Sequence, residues 1–349
     1  MGRSIVRYVG VALWLGLSCV HQALAVEVSD RVELHGYGSQ DYLQASSNAY
    51  LGADERGSWD NNLISLVGTV TLNEKSKFWA QLESVTGEPL RFNWFFVDYQ
   101  LNDRLRLQVG RVKLPLGIYN EIINARYLQL SALPPALYQS AADMTHDAFQ
   151  GIGLDYESQL GAAGSLRTQV WGGNTVAETP DASLRDRRAF GGKLTWSTPL
   201  DGLKLMATAF RIQIEILADH SMQKEDHGVL SLDYLNRGFD IKSEYAKHTF
   251  QEEKKTLWYL QAGYTLAGKW TPYVRYDSLS TQDSQDADPS SYQKTVAIGL
   301  GYRISSNFGM RVEDHLNRGY ALPVASGEIA TGAGRKNWNL FVASVNFIF

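Results

Sequence analysis

The chain has 349 residues, with 33 Lys and Arg against 37 Asp and Glu, a formal charge of −4 and one cysteine. A weakly acidic balance without basic runs gives no basis for nucleic-acid binding, and one cysteine excludes internal disulfides and thiol-ligated metal centres. The mean hydropathy of −0.24 looks soluble, but the same average arises in spanning strands whose lipid-facing and water-facing residues cancel.

Residues 1–25 read as a secretory leader. Arg3 and Arg7 precede an almost wholly apolar run at 8–20, and Ala23-Leu24-Ala25 supplies small residues for cleavage after Ala25. A membrane anchor would need about 20 apolar residues. Lipidation of Cys19 would need a bulky aliphatic residue where Gly16 stands. No later segment approaches a helical membrane span, and residues 26–349 read as one domain.

From there on, segments of about ten residues alternate apolar and polar, the pattern of tilted strands that cross a membrane. The first candidate strand, 32–42, is interrupted by Gly36 and Gly38. Ile64, Leu66, Val70 and Leu72 then oppose Ser65, Thr69 and Thr71, and Phe95, Val97, Tyr99 and Leu101 share a face. Leu105, Leu107 and Val109 oppose Arg106 and Gln108. Later, Leu166 and Val170 oppose Arg167 and Gln169, and Phe190, Leu194 and Trp196 oppose Lys193 and Thr195. The parity of 203–212 slips near Phe210. Leu230 and Leu232 oppose Ser231 and Asp233, Ile241 and Tyr245 oppose Lys242 and Glu244, and Trp258 and Leu260 oppose Gln261. Val274 and Tyr276 oppose Arg275 and Asp277, while Met310 and Val312 oppose Arg311 and Glu313. Pro272 offers no N–H to a ladder, but its place just after Trp270 is a strand start.

The connections alternate strictly in length. Tight turns at 73–76, 102–103, 199–202, 236–238, 267–269 and 305–307 are built of favoured turn residues. Between them lie longer polar stretches such as 46–60, 175–188, 280–293 and 319–336. About sixteen spans, give or take two, put both termini on the side of the short turns, the periplasm in an outer-membrane barrel. Hydrocarbon offers backbone groups no partner, so such a sheet must close on itself. Trp94, Trp196, Trp270 and Trp338 lie near strand ends, where aromatic rings suit the headgroup level. The last strand places Phe341, Ala343, Val345, Phe347 and Phe349 on one face. That ending resembles the C-terminal signature read by the barrel-insertion machinery. The expected fold is therefore all-β, a transmembrane antiparallel up-and-down barrel.

One connection departs from the rest. After the fifth strand, residues 110–117 read Gly-Arg-Val-Lys-Leu-Pro-Leu-Gly, and no clean alternation returns before Phe149. A structureless run of roughly thirty residues is uncommon unless it has a task. This run resembles the corresponding segment of phosphate-selective-type porins and related Gram-negative porins. The resemblance implies a homotrimeric diffusion channel whose third extracellular loop folds inward. Phosphate specificity does not carry over, because 117–148 holds only Arg126 as a cation against Glu121, Asp143 and Asp147.

By strand parity, Arg106, Arg167, Lys193, Arg275 and Arg311 form a cationic wall facing Glu121, Asp143 and Asp147. Arg111 and Lys113 depend on whether Gly110 marks a bulge. Such a transverse field favours small hydrophilic solutes or ions, with weak charge selectivity. The other expected partners are outer-membrane lipid, lipopolysaccharide and the insertion machinery, with no cofactor. Catalysis is not expected: none of His35, His146, His220, His227, His248 or His315 is followed two residues later by serine, and there is no Gly-x-Ser-x-Gly or His-Glu-x-x-His motif. His146-Asp147 reads as polar loop chemistry. The rival reading is a structural or surface-interaction barrel without an open pore.

Overall fold

Period-two alternation is the organising feature of the molecule. A computed structural model describes residues 26–86, 88–139, 147–176, 184–281 and 288–349. The expected leader lies outside the described residues. A short strand β1 (Val26–Ser29) pairs back on β2 (Val32–Ala45). There follow β3 (Ser58–Asn73), β4 (Ser76–Val85), β5 (Arg91–Asn102), β6 (Leu105–Lys113), β7 (Ala148–Gln159), β8 (Ser165–Val176) and β9 (Leu184–Ser197). The second half contains β10 (Leu203–Ile216), β11 (Ser221–Asn236), β12 (Phe239–Phe250), β13 (Glu253–Tyr264), β14 (Trp270–Thr281), β15 (Tyr292–Arg303), β16 (Phe308–Arg318) and β17 (Asn337–Ile348).

Each strand from β2 to β17 pairs antiparallel with the next, and β17 returns to β2 through the register Leu340↔Ala45 to Ile348↔Tyr37. The result is a closed barrel of sixteen strands. At the seam, Gly36 and Phe349 exchange both backbone hydrogen bonds at 2.8 Å. Closure leaves no sheet edge, the condition for a sheet surrounded by hydrocarbon.

The burial pattern is inverted relative to a soluble protein. Leu230, Phe190 and Ile298 are 62%, 56% and 56% exposed on the outer face, while Glu244, Arg275 and Glu313 are each 1% exposed on the inner one. A contiguous apolar belt of this kind is unfavourable against water and favourable against lipid tails. Trp270 packs on Tyr302 and Phe239 on Tyr264 toward the short-turn end, with ring centroids 4.2 and 4.7 Å apart. Of the four tryptophans expected in girdles, Trp196 and Trp270 face outward. Trp338 does not: it is buried, stands edge-on to Tyr50, and donates through Nε1 to the Gly319 carbonyl at 2.9 Å. Trp94 lines an interior cavity.

Three further expectations change. The connections at 217–220 and 251–252 are short although they lie at the long-loop end. His220 and Gln251 adopt positive φ there, the backbone a tight hairpin requires. Gly110 has φ 142 but the β6–β7 ladder runs through it without a register shift, so no bulge moves Arg111. Parity does not slip at Phe210 either: Thr208, Phe210, Ile212 and Ile214 all face inward and are buried. What changes along β10 is the chemistry of the inner wall, which turns apolar toward the long-loop end.

That apolar patch meets the connection between β6 and β7. Leu114, Leu116, Leu133 and Leu137 of the connection share one buried cluster with Phe210, Ile212, Leu257, Leu279 and Leu340 of the wall. The described part of this connection is irregular apart from 3-10 turns at Asn120–Ile122, Arg126–Leu128 and Ala136–Tyr138.

Candidate functional site

The inward side chains of the strands hold the β6–β7 connection by its backbone. A segment without a regular ladder must satisfy its N–H and C=O groups individually, and charged wall residues do so here. Glu244 on β12 accepts from the Ile118 amide at 2.9 Å, Tyr138 Oη at 2.6 Å, Tyr259 Oη at 2.9 Å and Ser231 Oγ at 2.6 Å. Asp277 on β14 accepts from the Ala136 amide at 3.0 Å, and Glu313 on β16 from the Ala132 amide. Gln261 on β13 donates to Tyr119 Oη at 2.9 Å. On the facing wall, Asn124 donates to Glu83 of β4 at 2.5 Å, and Arg126 pairs with Asp41 of β2. β4 and β12 stand eight strands apart in the ring, so these bonds reach opposite walls.

The charged residues singled out by sequence fall into distinct settings. Arg275 bonds Asp277 at 2.7 Å and donates to Ser131 Oγ at 2.6 Å and the Leu133 carbonyl at 2.8 Å. Arg311 donates to the Gln129 carbonyl. These two arginines and Arg126 fasten the connection to the wall. Asp147 pairs with Lys113 where the connection joins its strands. Arg106 sits half-exposed near the short-turn end, 3.1 Å from Asp98. Asp143 and His146 lie outside the described residues.

Glu121, Lys193 and Arg167 converge. Lys193 Nζ on β9 donates to Glu121 Oε2 at 2.7 Å, and Arg167 Nε on β8 bonds Asp155 Oδ1 at 2.9 Å. Burial opposes the charge on Glu121, but the ammonium of Lys193 and the guanidinium of Arg167 outweigh it and hold the carboxyl below its ordinary range. Beside them lies a cavity of about 180 Å³ between the connection and β5–β8, lined by Trp94, Gln108, Lys113, Glu121, Arg167 and Gln169 among others.

Sequence alone does not mark Glu244, Asp277, Glu313 and Asp41 as anchors of the connection. A signal existed for them: Arg275/Asp277 and Arg311/Glu313 sit two apart, so each pair shares the inner face.

No protein-family model matches the sequence, and no curated protein matches it. Solved structures do match. The outer-membrane-expressed OmpT of Vibrio cholerae is 12% identical over 94% of this chain and 100% of its own, with a TM-score of 0.63. The outer-membrane channel DcaP of Acinetobacter baumannii is 11% identical over 94% and 100%, with a TM-score of 0.62. An anion-selective porin from Comamonas acidovorans is 12% identical over 91% and 99%, with a TM-score of 0.63. The chain thus has the fold of Gram-negative outer-membrane porins and channels.

Proposed function

We propose that this protein is an outer-membrane porin, a non-catalytic channel for passive diffusion of small hydrophilic solutes or ions. The observation that carries the reading is the inverted barrel itself, apolar outside and charged within, together with the cavity of mixed aromatic, apolar and charged lining left on the β5–β8 side of the connection. In this reading the β6–β7 connection is the third extracellular loop, and its described part, 114–139, folds inward. Solutes pass the gap bounded by Glu121, Lys193, Arg167 and Lys113. Charges of both signs border that gap, which gives weak selectivity rather than phosphate specificity. The chain enters the envelope through cleavage after Ala25 and inserts by its terminal aromatic strand. It assembles as a trimer, the form also named for an in-vitro folded Vibrio cholerae OmpT.

One observation favours a second reading, a barrel without an open pore: the apolar contact of Leu116, Leu133 and Leu137 with Ile212, Leu257 and Leu279 leaves no wet path on that side. Planar-bilayer recording separates the two. Protein whose unheated gel mobility shows a folded barrel should give small discrete conductance steps. Their absence from such protein rejects the channel.

A further inference from the structure

The inner wall carries a group of side chains unrelated to the loop anchors. Glu225 and His227 stand two apart on β11 and therefore share a face, and His248 on β12 lies directly opposite His227 in the ladder. The three are 6%, 4% and 3% exposed. Glu225 Oε1 lies 3.0 Å from His227 Nε2 and 2.7 Å from His248 Nε2. One ligand atom from each residue falls within 4.8 Å of the others.

We propose that Glu225, His227 and His248 bind one divalent transition-metal ion of the zinc, cobalt, nickel or copper class. Two imidazoles and one carboxylate suit borderline ions, whereas magnesium and calcium prefer all-oxygen sets. Around a tetrahedral ion with bonds of about 2.1 Å, ligand atoms sit about 3.4 Å apart, so on binding Glu225 backs away from both rings and the two imidazole nitrogens close from within 4.8 Å by up to roughly 1.4 Å, the scale of a side-chain adjustment. Three protein ligands leave a fourth position for water or a solute.

The surroundings hold the ligands in place. Phe210 stacks on the His227 ring at 4.1 Å and 8°, fixing its plane. His248 Nδ1 is buried with no hydrogen-bond partner among the described residues, a costly state for an imidazole nitrogen that coordination relieves, directly or after a ring flip. Lys255 faces His248 across the β12–β13 ladder and bonds Glu253 at 3.0 Å, so the ion binds against one nearby cation. His248 lies two residues from the end of β12 and Glu225 four from the start of β11, beneath the two shortest connections at that end of the barrel. The site is thus close to the rim, beside connections of four and two residues.

The test is a cobalt titration of the folded full-length protein in detergent, read by visible absorption. One equivalent of Co2+ should produce the intense bands of a four-coordinate site, zinc should abolish them, and tenfold excess calcium should not. His248→Ala should weaken binding by more than about tenfold, the scale on which even outer-shell changes act. The isosteric Glu225→Gln should do the same in a chain that keeps its fold. His315→Asn, which alters a buried histidine paired with Glu313 instead, should bind cobalt like the parent. Absence of bands in the parent, or bands that persist in both His248→Ala and Glu225→Gln, overturns the site.

Discussion

Glu121 of the β6–β7 connection meets Lys193 of the β9 wall at 2.7 Å, so a carboxylate and an ammonium from different parts of the fold neutralise one another beside the cavity. Removing either leaves the other uncompensated. In the channel proposed above, Lys193→Met should shift permeation toward cations and Glu121→Gln toward anions. One charge at ~10 Å in water changes the local potential energy by ~0.4 kcal/mol, or about twofold in ion concentration. Reversal potentials across a salt gradient should therefore move in opposite directions for the two variants, by about a factor of two in permeability ratio. Movement in the same direction would place the pair away from the ion path.

The same carboxylate sets a pH window. Lys193 and Arg167 hold Glu121 below its ordinary range. A group lowered in this way contributes its full pairing energy above the free value of about 4.3 and loses it as pH falls through the lower, folded value. Selectivity should be flat from neutral pH down to that free value and should turn toward anions only below it. In Glu121→Gln the acid limb should vanish. A transition in the parent well above the ordinary carboxylate range would contradict the assignment.

Glu244 gathers four donors, among them the Ile118 amide and Tyr138 Oη of the connection. Glu244→Ala strands those groups in a dry interior at about 1–3 kcal/mol each. The expected result is a looser connection, with larger and noisier conductance steps and a lower temperature for loss of the folded gel mobility. A double variant with Tyr138→Phe should lose less than the sum of the single changes, because Tyr138 Oη and Glu244 serve the same contact.

The barrel is legible in the sequence because lipid imposes one rule on every strand. Leu230 beside Ser231, or Val274 beside Arg275, discloses its orientation without knowledge of any neighbour. The interior obeys no such rule. Phe210, Ile212 and Ile214 look like a broken alternation because their partners Leu116 and Leu137 arrive from a segment more than seventy residues away along the chain. Arg275 and Arg311 read as wall cations from parity, but parity says nothing of the loop carbonyls they bind. Trp338 lies at a strand end, as a girdle residue would, yet its even position turns it inward to Gly319. Side-chain direction along a strand is local information. What meets that side chain inside the barrel is not.

Gly36 and Gly38, which weaken the alternation of β2, are explained at the seam. A Cβ on Gly36 would lie 2.1 Å from Phe349 Cζ, and one on Gly38 would lie 2.6 Å from Phe347 Cζ. The last two outward aromatic rings of the chain occupy the space where side chains on Gly36 and Gly38 would sit, an arrangement that offsets the poor strand propensity of glycine. Two changes should therefore harm closure by different routes. Gly36→Leu drives the Phe349 ring off its place on β2, at about 1–3 kcal/mol for overpacking. Phe349→Ala uncovers the glycine and removes an outward ring that is 49% exposed, at less than the ~3 kcal/mol of a fully buried phenylalanine. Both should lower the urea midpoint of the folded barrel in lipid vesicles. Combining Gly36→Ala with Phe349→Leu should recover part of the loss, because the smaller terminal side chain leaves room for a methyl group on β2. If Gly36→Leu were as stable as the parent, the ring would not be resting on the first strand.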